Sequence, residues 1–150
     1  MSQTIQTNKI ENEIKKTNEN KGEGFTLNND KSLWNVEKGG FIVTVTFENV
    51  DELTMKNINK MFDKYDEVIS QYKDTVKIGA FNLKNDEGVD IDLNIRIEDR
   101  EKAIKLGKQF NQESIFNANN FECIELESRN ENSQITTKNN IIEVIENVEN

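Results

Sequence analysis

The chain has 150 residues and a formal net charge of −9 at pH 7. That balance excludes sequence-independent binding to DNA, RNA or anionic membranes, because those partners require a basic surface. There is no histidine and only one cysteine, Cys123, so histidine-dependent nucleophile systems, zinc sites and internal disulfides are excluded as well. No apolar run reaches the ~18 residues of a membrane helix, and no signal peptide is recognisable. We therefore expect a single-domain cytoplasmic protein.

Both ends of the chain are polar. In residues 1–23, Ile10 and Ile14 are spaced to share one helical face, but two apolar residues are too few to anchor a helix. This segment is therefore predicted to be a mobile tail. Residues 127–150 are predicted to be a polar linker followed by a short amphipathic segment. The folded α+β domain is then expected to span residues 24–126.

The first half of this domain contains one clear strand and one clear helix. Residues 24–40 have glycines at both ends and a turn-rich middle, which predicts an extended lead-in or a loose hairpin. Residues 52–72 carry apolar side chains three and four positions apart, which predicts one long amphipathic helix. Residues 41–48 alternate in polarity and predict a strand. Its buried face is expected to carry Phe41, Val43, Val45 and Phe47.

The second half repeats this pattern with shorter elements. The predicted elements are a strand at 75–83, a turn at 85–88, a strand at 89–97, a helix at 100–111, and short strands at 114–116 and 121–126. The strand at 89–97 has the most regular alternation in the chain, and Asp99 is placed to cap the following helix. The order β-α-β-β-α-β, with a possible extra strand, is the split βαβ pattern of ferredoxin-like folds. The expected fold is therefore an antiparallel sheet with two helices on one face.

The open face of this sheet is the candidate functional surface. Polar side chains of residues 89–97 are expected there, and Asp90 and Asp92 would lie roughly 6–7 Å apart. Carboxylates repel phosphates, so base stacking of RNA on this face is disfavoured. The predicted partner-binding residues are Asp86, Glu87, Asp90, Asp92 and Asn94. The sequence contains no recognisable catalytic constellation, and neither a cofactor nor a resident metal is expected.

Two other interpretations of the acidic residues stay open. They are compatible with an ordinary solvated surface, because an acidic balance also favours solubility. Alternatively, Asp90 and Asp92 together with Asp86, Glu87 or Glu48 would bind a divalent cation through their oxygen atoms. That arrangement would suit a metal-dependent hydrolase or a nucleotide-binding protein.

One block of sequence resembles known proteins. The stretch DREKAIKLGKQFNQESIFNANNFECI at Asp99–Ile124 is similar to a "DREEA..L...NQ-SIF" block in small accessory proteins of bacteriophages, prophages and plasmids. Upstream, GFTLN and GGFIVTV resemble the "GFT-N" and "GG-V-V" segments that open the same proteins. The resemblance covers roughly residues 24–126 and supplies no catalytic residues. It implies a non-catalytic accessory protein of a mobile genetic element.

Acidic accessory proteins of this kind are expected to act on host proteins. A carboxylate-rich surface suits the basic groove of a nucleic-acid-processing complex, and electrostatic steering accelerates such encounters. The leading hypothesis is therefore an inhibitor of a host defence nuclease in the bacterial cytoplasm, of the anti-CRISPR or anti-restriction type. No direct nucleic-acid or membrane partner is expected, and the oligomeric state stays open.

Overall fold

The structure, a computed structural model, describes residues 2–35, 38–83, 87–110, 112–126, 141–143 and 145–146. The elements are α1 (Ser2–Glu19), β1 (Gly24–Leu27), β2 (Phe41–Val50), α2 (Met55–Lys64), α3 (Asp66–Gln71), β3 (Val76–Asn82), β4 (Val89–Ile97), α4 (Arg100–Gln109), β5 (Ser114–Asn117) and β6 (Glu122–Glu125). Residues 141–143 and 145–146 are also helical. Among the described residues, no helix is both long and apolar enough to cross a membrane.

The strands form a sheet in the order β1-β3-β4-β2-β5-β6. The pairs β1 with β3, β2 with β5 and β5 with β6 are antiparallel. The predicted α+β class with an antiparallel sheet is thus confirmed. The predicted ferredoxin-like topology is not matched as a whole, because β1 and β6 extend the sheet to six strands.

The chain divides into two compact units. The first unit comprises Met1–Trp34 and Phe47–Leu93, and the second comprises Asn35–Thr46 and Asn94–Asn150. Each unit buries its own apolar side chains, as the burial of a core requires. In the first unit these include Leu27, Leu53, Ile58, Met61, Val68, Val76 and Ile91, and in the second unit they include Val43, Ile95, Leu106, Ile115, Ile141 and Ile145.

Helix α1 occupies a segment that was predicted to be a polar tail. Ile10 is buried, with 3% of its surface exposed. The side chain of Asn18 donates to the carbonyl of Leu53 at 2.9 Å and accepts from its N–H at 2.8 Å, and Asn82 Nδ2 donates to the carbonyl of Thr17 at 2.7 Å. The tail prediction is wrong here, because paired polar contacts supply the anchoring that two apolar residues do not.

The predicted long helix is divided into α2 and α3. Thr54 caps α2 by accepting from the N–H of Asn57 at 3.1 Å, which is the usual role of an N-cap hydroxyl. The helix ends at Tyr65, whose φ and ψ of −109° and 25° leave the helical region. Tyr65 itself is buried. The periodicity of the apolar residues continues through this break, which is why the pattern alone predicted one helix.

The burial of strand β2 changes along its length. Thr44 Oγ1 donates to Asn94 Oδ1 at 2.7 Å, and Asn49 Nδ2 donates to Asp90 Oδ1 at 2.9 Å. Every second side chain is buried from Phe41 to Val45, but Phe47 is 56% exposed. The prediction that Phe47 faces the core is therefore wrong, because alternation indicates the side of the strand on which a residue lies but not how far the packed core extends along it.

The second unit is organised around α4 and the β5–β6 hairpin. Asp99 caps α4 by accepting from the N–H of Lys102 at 3.0 Å, as predicted. Ala103, Leu106 and Gly107 form the buried side of α4. A Cβ at Gly107 would lie within 2.8 Å of side chains of Leu126 and Ile115, so a larger residue here would require those side chains to shift. The predicted linker at 127–140 lies outside the described residues.

Candidate acidic binding surface

Asn49 holds the end of β2 against the start of β4. Its side-chain N–H₂ group donates to the carbonyl of Glu87 at 2.8 Å and to the carboxylate of Asp90 at 2.9 Å. Gly88 has a φ of +90°, and a Cβ there would lie 2.5 Å from the carbonyl oxygen of Val50. Glycine is therefore required for the turn to pass this close to β2. Segments 49–52 and 87–90, which are distant in sequence, become neighbours.

This pairing brings four carboxylates to one end of β2 and β4. Asp51, Glu52 and Glu87 are exposed, and Asp90 is half-buried. We call these four residues the acidic strand end. Glu87 and Asp90 were predicted to contribute to the surface, whereas Asp51 and Glu52 were not. The available signal was the acidic pair directly after a clear strand.

Asp92 lies on the same strand but in a different environment. It is part-buried and makes no hydrogen bond or ion pair within the described part of the chain. Burial, and secondarily the nearby charge of Asp90, raise the pKa of the Asp92 carboxyl to about 7. Desolvation disfavours the ionised form, and a like charge adds to that effect. Asp92 therefore exchanges a proton near neutral pH, unlike an ordinary surface aspartate.

Asn94 does not lie on an open surface. Only 5% of it is exposed, and its Oδ1 accepts the hydroxyl hydrogen of Thr44 at 2.7 Å. Its assignment to the partner-binding set is corrected, because this buried amide has a structural partner. Asp86, the fifth residue of that set, lies outside the described residues.

Arg96 is also used within the fold. Its Nε donates to the carbonyl of Gly39 at 2.8 Å, and its Nη2 donates to the carbonyl of Lys38 at 3.0 Å. Gly40 has a φ of +91°, and a Cβ there would lie 2.8 Å from Arg96 Nε. The guanidinium therefore fixes the turn that leads into β2. The polar side chains of Thr44, Asn94 and Arg96 satisfy internal groups, so the predicted open face is not uniformly available to a partner.

Comparison of the chain with protein-family models, curated proteins and solved structures finds no match. The resemblance of Asp99–Ile124 to proteins of mobile elements accordingly stays a prediction. Within the residues that the structure describes, no three Asp, Glu or Cys side chains are grouped so as to hold a metal ion. The acidic strand end is therefore the candidate functional surface.

Proposed function

We propose that this chain is a non-catalytic protein of a mobile genetic element that inhibits a host defence nuclease by occupying its basic groove. The convergence of Asp51, Glu52, Glu87 and Asp90 carries this proposal, since they form a localised negative surface. Such a surface accelerates encounters with a cationic groove and repels nucleic acid. The resemblance to mobile-element proteins supports the choice of a defence nuclease as the partner.

The exposed ring of Phe47 strengthens this proposal. It lies two residues before Asn49 on β2 and is 56% exposed. Interfaces commonly combine a central aromatic anchor with a polar rim.

The proposal includes a finer description of the fold. Without the two edge strands, the sheet order is β3-β4-β2-β5. That order, with α2 and α3 between β2 and β3 and α4 between β4 and β5, is that of a split βαβ core. We infer a ferredoxin-like core extended by β1 on one side and by β6 on the other.

The test is phage plating on bacterial strains that each carry one active CRISPR or restriction system. Expression of the chain should restore plating on at least one strain. A variant with Asp51, Glu52 and Glu87 changed to Lys should lower that rescue at least about tenfold, because steering and contact charge are both reversed. Near-stoichiometric co-purification with the nuclease should be lost in parallel.

A charge-matched control tests whether inhibition depends on the position of the negative charges. Changing Glu11, Glu19 and Glu23 to Lys alters the net charge by the same amount at exposed positions, and this variant should still inhibit. Equal loss in both variants would show that only overall charge matters. Rescue on no strain, with no nuclease recovered, would reject the inhibitor proposal itself.

One observation favours a second candidate. The raised pKa of Asp92 beside Asp90 is of the kind found at functional carboxylate pairs. A metal-dependent hydrolase or nucleotide-binding protein would use this pair to bind a divalent cation. Millimolar Mg²⁺ or Mn²⁺ should then raise the melting temperature of the wild type but not of Asp90→Asn. Identical melting temperatures with and without metal would eliminate this candidate.

A further inference from the structure

Strand β6 is the last strand in the sheet order. It pairs with β5 in a register that places Cys123 opposite Phe116 and Ile124 opposite Ile115. The N–H of Leu126 donates to the carbonyl of Glu113 at 2.9 Å in the same register. Hydrogen-bonded and non-hydrogen-bonded pairs alternate along an antiparallel ladder. Cys123 and Glu125 are therefore the β6 residues whose backbone N–H and C=O groups point away from β5.

The other side of β5 supports this assignment. The N–H of Ala118 donates to the carbonyl of Gly40 at 2.8 Å, in the register that pairs Ile42 with Phe116. Even-numbered residues of β5 thus direct their backbone groups toward β2, which leaves odd-numbered residues to bond β6. The two ladders agree, and no described residue bonds the outward groups of Cys123 and Glu125.

The hairpin end is apolar, and its conformation is unusual. The ring of Phe121 is 60% exposed and lies 6.3 Å from the ring of Phe116. Phe121 has a φ of +60°, which is uncommon for a residue with a bulky side chain. The hairpin therefore exposes an aromatic ring to solvent at a residue whose backbone conformation is unfavourable.

The charge of the hairpin is of one sign. Residues 113–125 contain the carboxylates of Glu113, Glu122 and Glu125 and no lysine or arginine. All three glutamates are exposed. An additional strand at this edge would therefore meet carboxylates and an aromatic ring, which together favour arginine or lysine side chains.

We propose that β6 accepts an extended, basic segment of a partner protein by strand addition, with Phe121 and Phe116 as the aromatic contact. Backbone bonds to Cys123 and Glu125 supply the docking geometry, and the glutamates select arginine-bearing strands. A second copy of this chain is the wrong occupant, because β6 against β6 would bring glutamates together. The surface is distinct from the acidic strand end and does not depend on the nuclease proposal.

The test uses a capped synthetic peptide of about eight residues in which valine and arginine alternate. The full-length protein is titrated with this peptide and followed by NMR. The backbone amides of Cys123 and Glu125 should show shift changes, and their hydrogen exchange should slow at least about tenfold on binding. A peptide with glutamate in place of arginine is the charge control and should not bind.

Substitutions at a single position separate backbone docking from side-chain contact. Cys123→Pro removes an outward N–H, which an edge strand tolerates, and should lower peptide affinity at least about tenfold. Cys123→Ser keeps the N–H and should bind within about twofold of the wild type. Phe121→Asn suits the left-handed conformation and should also weaken binding.

Two results would overturn the proposal. One is unchanged peptide affinity in folded Cys123→Pro. The other is wild-type binding without slowed exchange at Cys123 and Glu125, which decides the matter even if the proline variant does not fold. Loss of peptide binding in Cys123→Pro with retained phage rescue would leave the inhibitor proposal intact, so failures of the two proposals are distinguishable.

Discussion

The sheet has two edge strands, and the chain treats them differently. The outer side of β1 is bonded by the residues that follow it, since the N–H of Trp34 donates to the carbonyl of Thr26 at 2.9 Å and Leu27 forms a bridge with Leu33. The residues of β6 are exposed or half-buried, and no described residue pairs with its outer side.

This difference shows two ways of protecting an edge. A covered edge has satisfied backbone groups and contributes a side chain to the core, as Leu27 does with 1% exposure. An uncovered edge depends on short length and like charges, which discourage association with other strands. The same charges leave β6 receptive to a strand of opposite charge. We therefore expect β1 to contribute stability and β6 to contribute binding.

The largest expected effect on stability concerns the apolar side chains of the two edge strands. Leu27→Ala should lower the free energy of unfolding by about 3 kcal/mol, because it removes a fully buried side chain. Ile124→Ala should cost only about 1 kcal/mol, because Ile124 is half-buried. Urea unfolding of both variants measures the difference. Equal losses would break the distinction between a structural edge and a binding edge.

The next effect concerns β4, which lies between β3 and β2. This inner strand is compared with the two edge strands. Because the folded pKa of Asp92 is raised from 3.8 to about 7, its neutral form is favoured in the fold. The contribution of the Asp92 carboxyl to folding stability is fully present below pH 3.8 and is lost as the pH rises to about 7. The full shift corresponds to about 4 kcal/mol. Asp92→Asn should be about 2 kcal/mol more stable than wild type at pH 8, roughly half of that, because the part-buried amide also loses hydration.

The sign of this prediction is checked by repeating the measurement at acidic pH. The advantage of Asp92→Asn should shrink as the pH falls from 7 toward 4. An advantage that does not change with pH would mean that Asp92 is ionised normally in the fold.

The smallest effect is in the loop that covers β1. Hydrogen bonds from the hydroxyl and then the N–H of Ser32 lower the pKa of Asp30. This stabilisation is present above pH 3.8 and lost as the pH falls through the lowered pKa. Asp30→Ala should cost about 0.5 kcal/mol at pH 7, because the group is exposed. Thermal melts should show the difference disappearing near pH 2, and a loss that persists there would exclude the charged hydrogen bond as its cause.

Much of the fold was predictable where local signals agreed. The strand at residues 89–97 and the cap at Asp99 depend on neighbouring residues only, and both predictions are confirmed. The candidate surface was predictable in part, since Glu87 is exposed and Asp90 lies beside it. Asn94 could not be assigned correctly, because its burial depends on Thr44, which is distant in sequence.

By itself, the sequence determined the acidic charge, the identity of most elements and the apolar faces from which the core forms, because these follow from residue type and local periodicity. Tertiary structure alone decided three features: the docking of α1, the exposure of Phe47 and the raised pKa of Asp92. Each depends on groups distant in sequence: the partners of Asn18 and Thr17, the extent of the packed core along β2, and the burial that excludes water. A local sequence pattern does not predict contacts between distant residues, because those contacts form only when the whole chain packs.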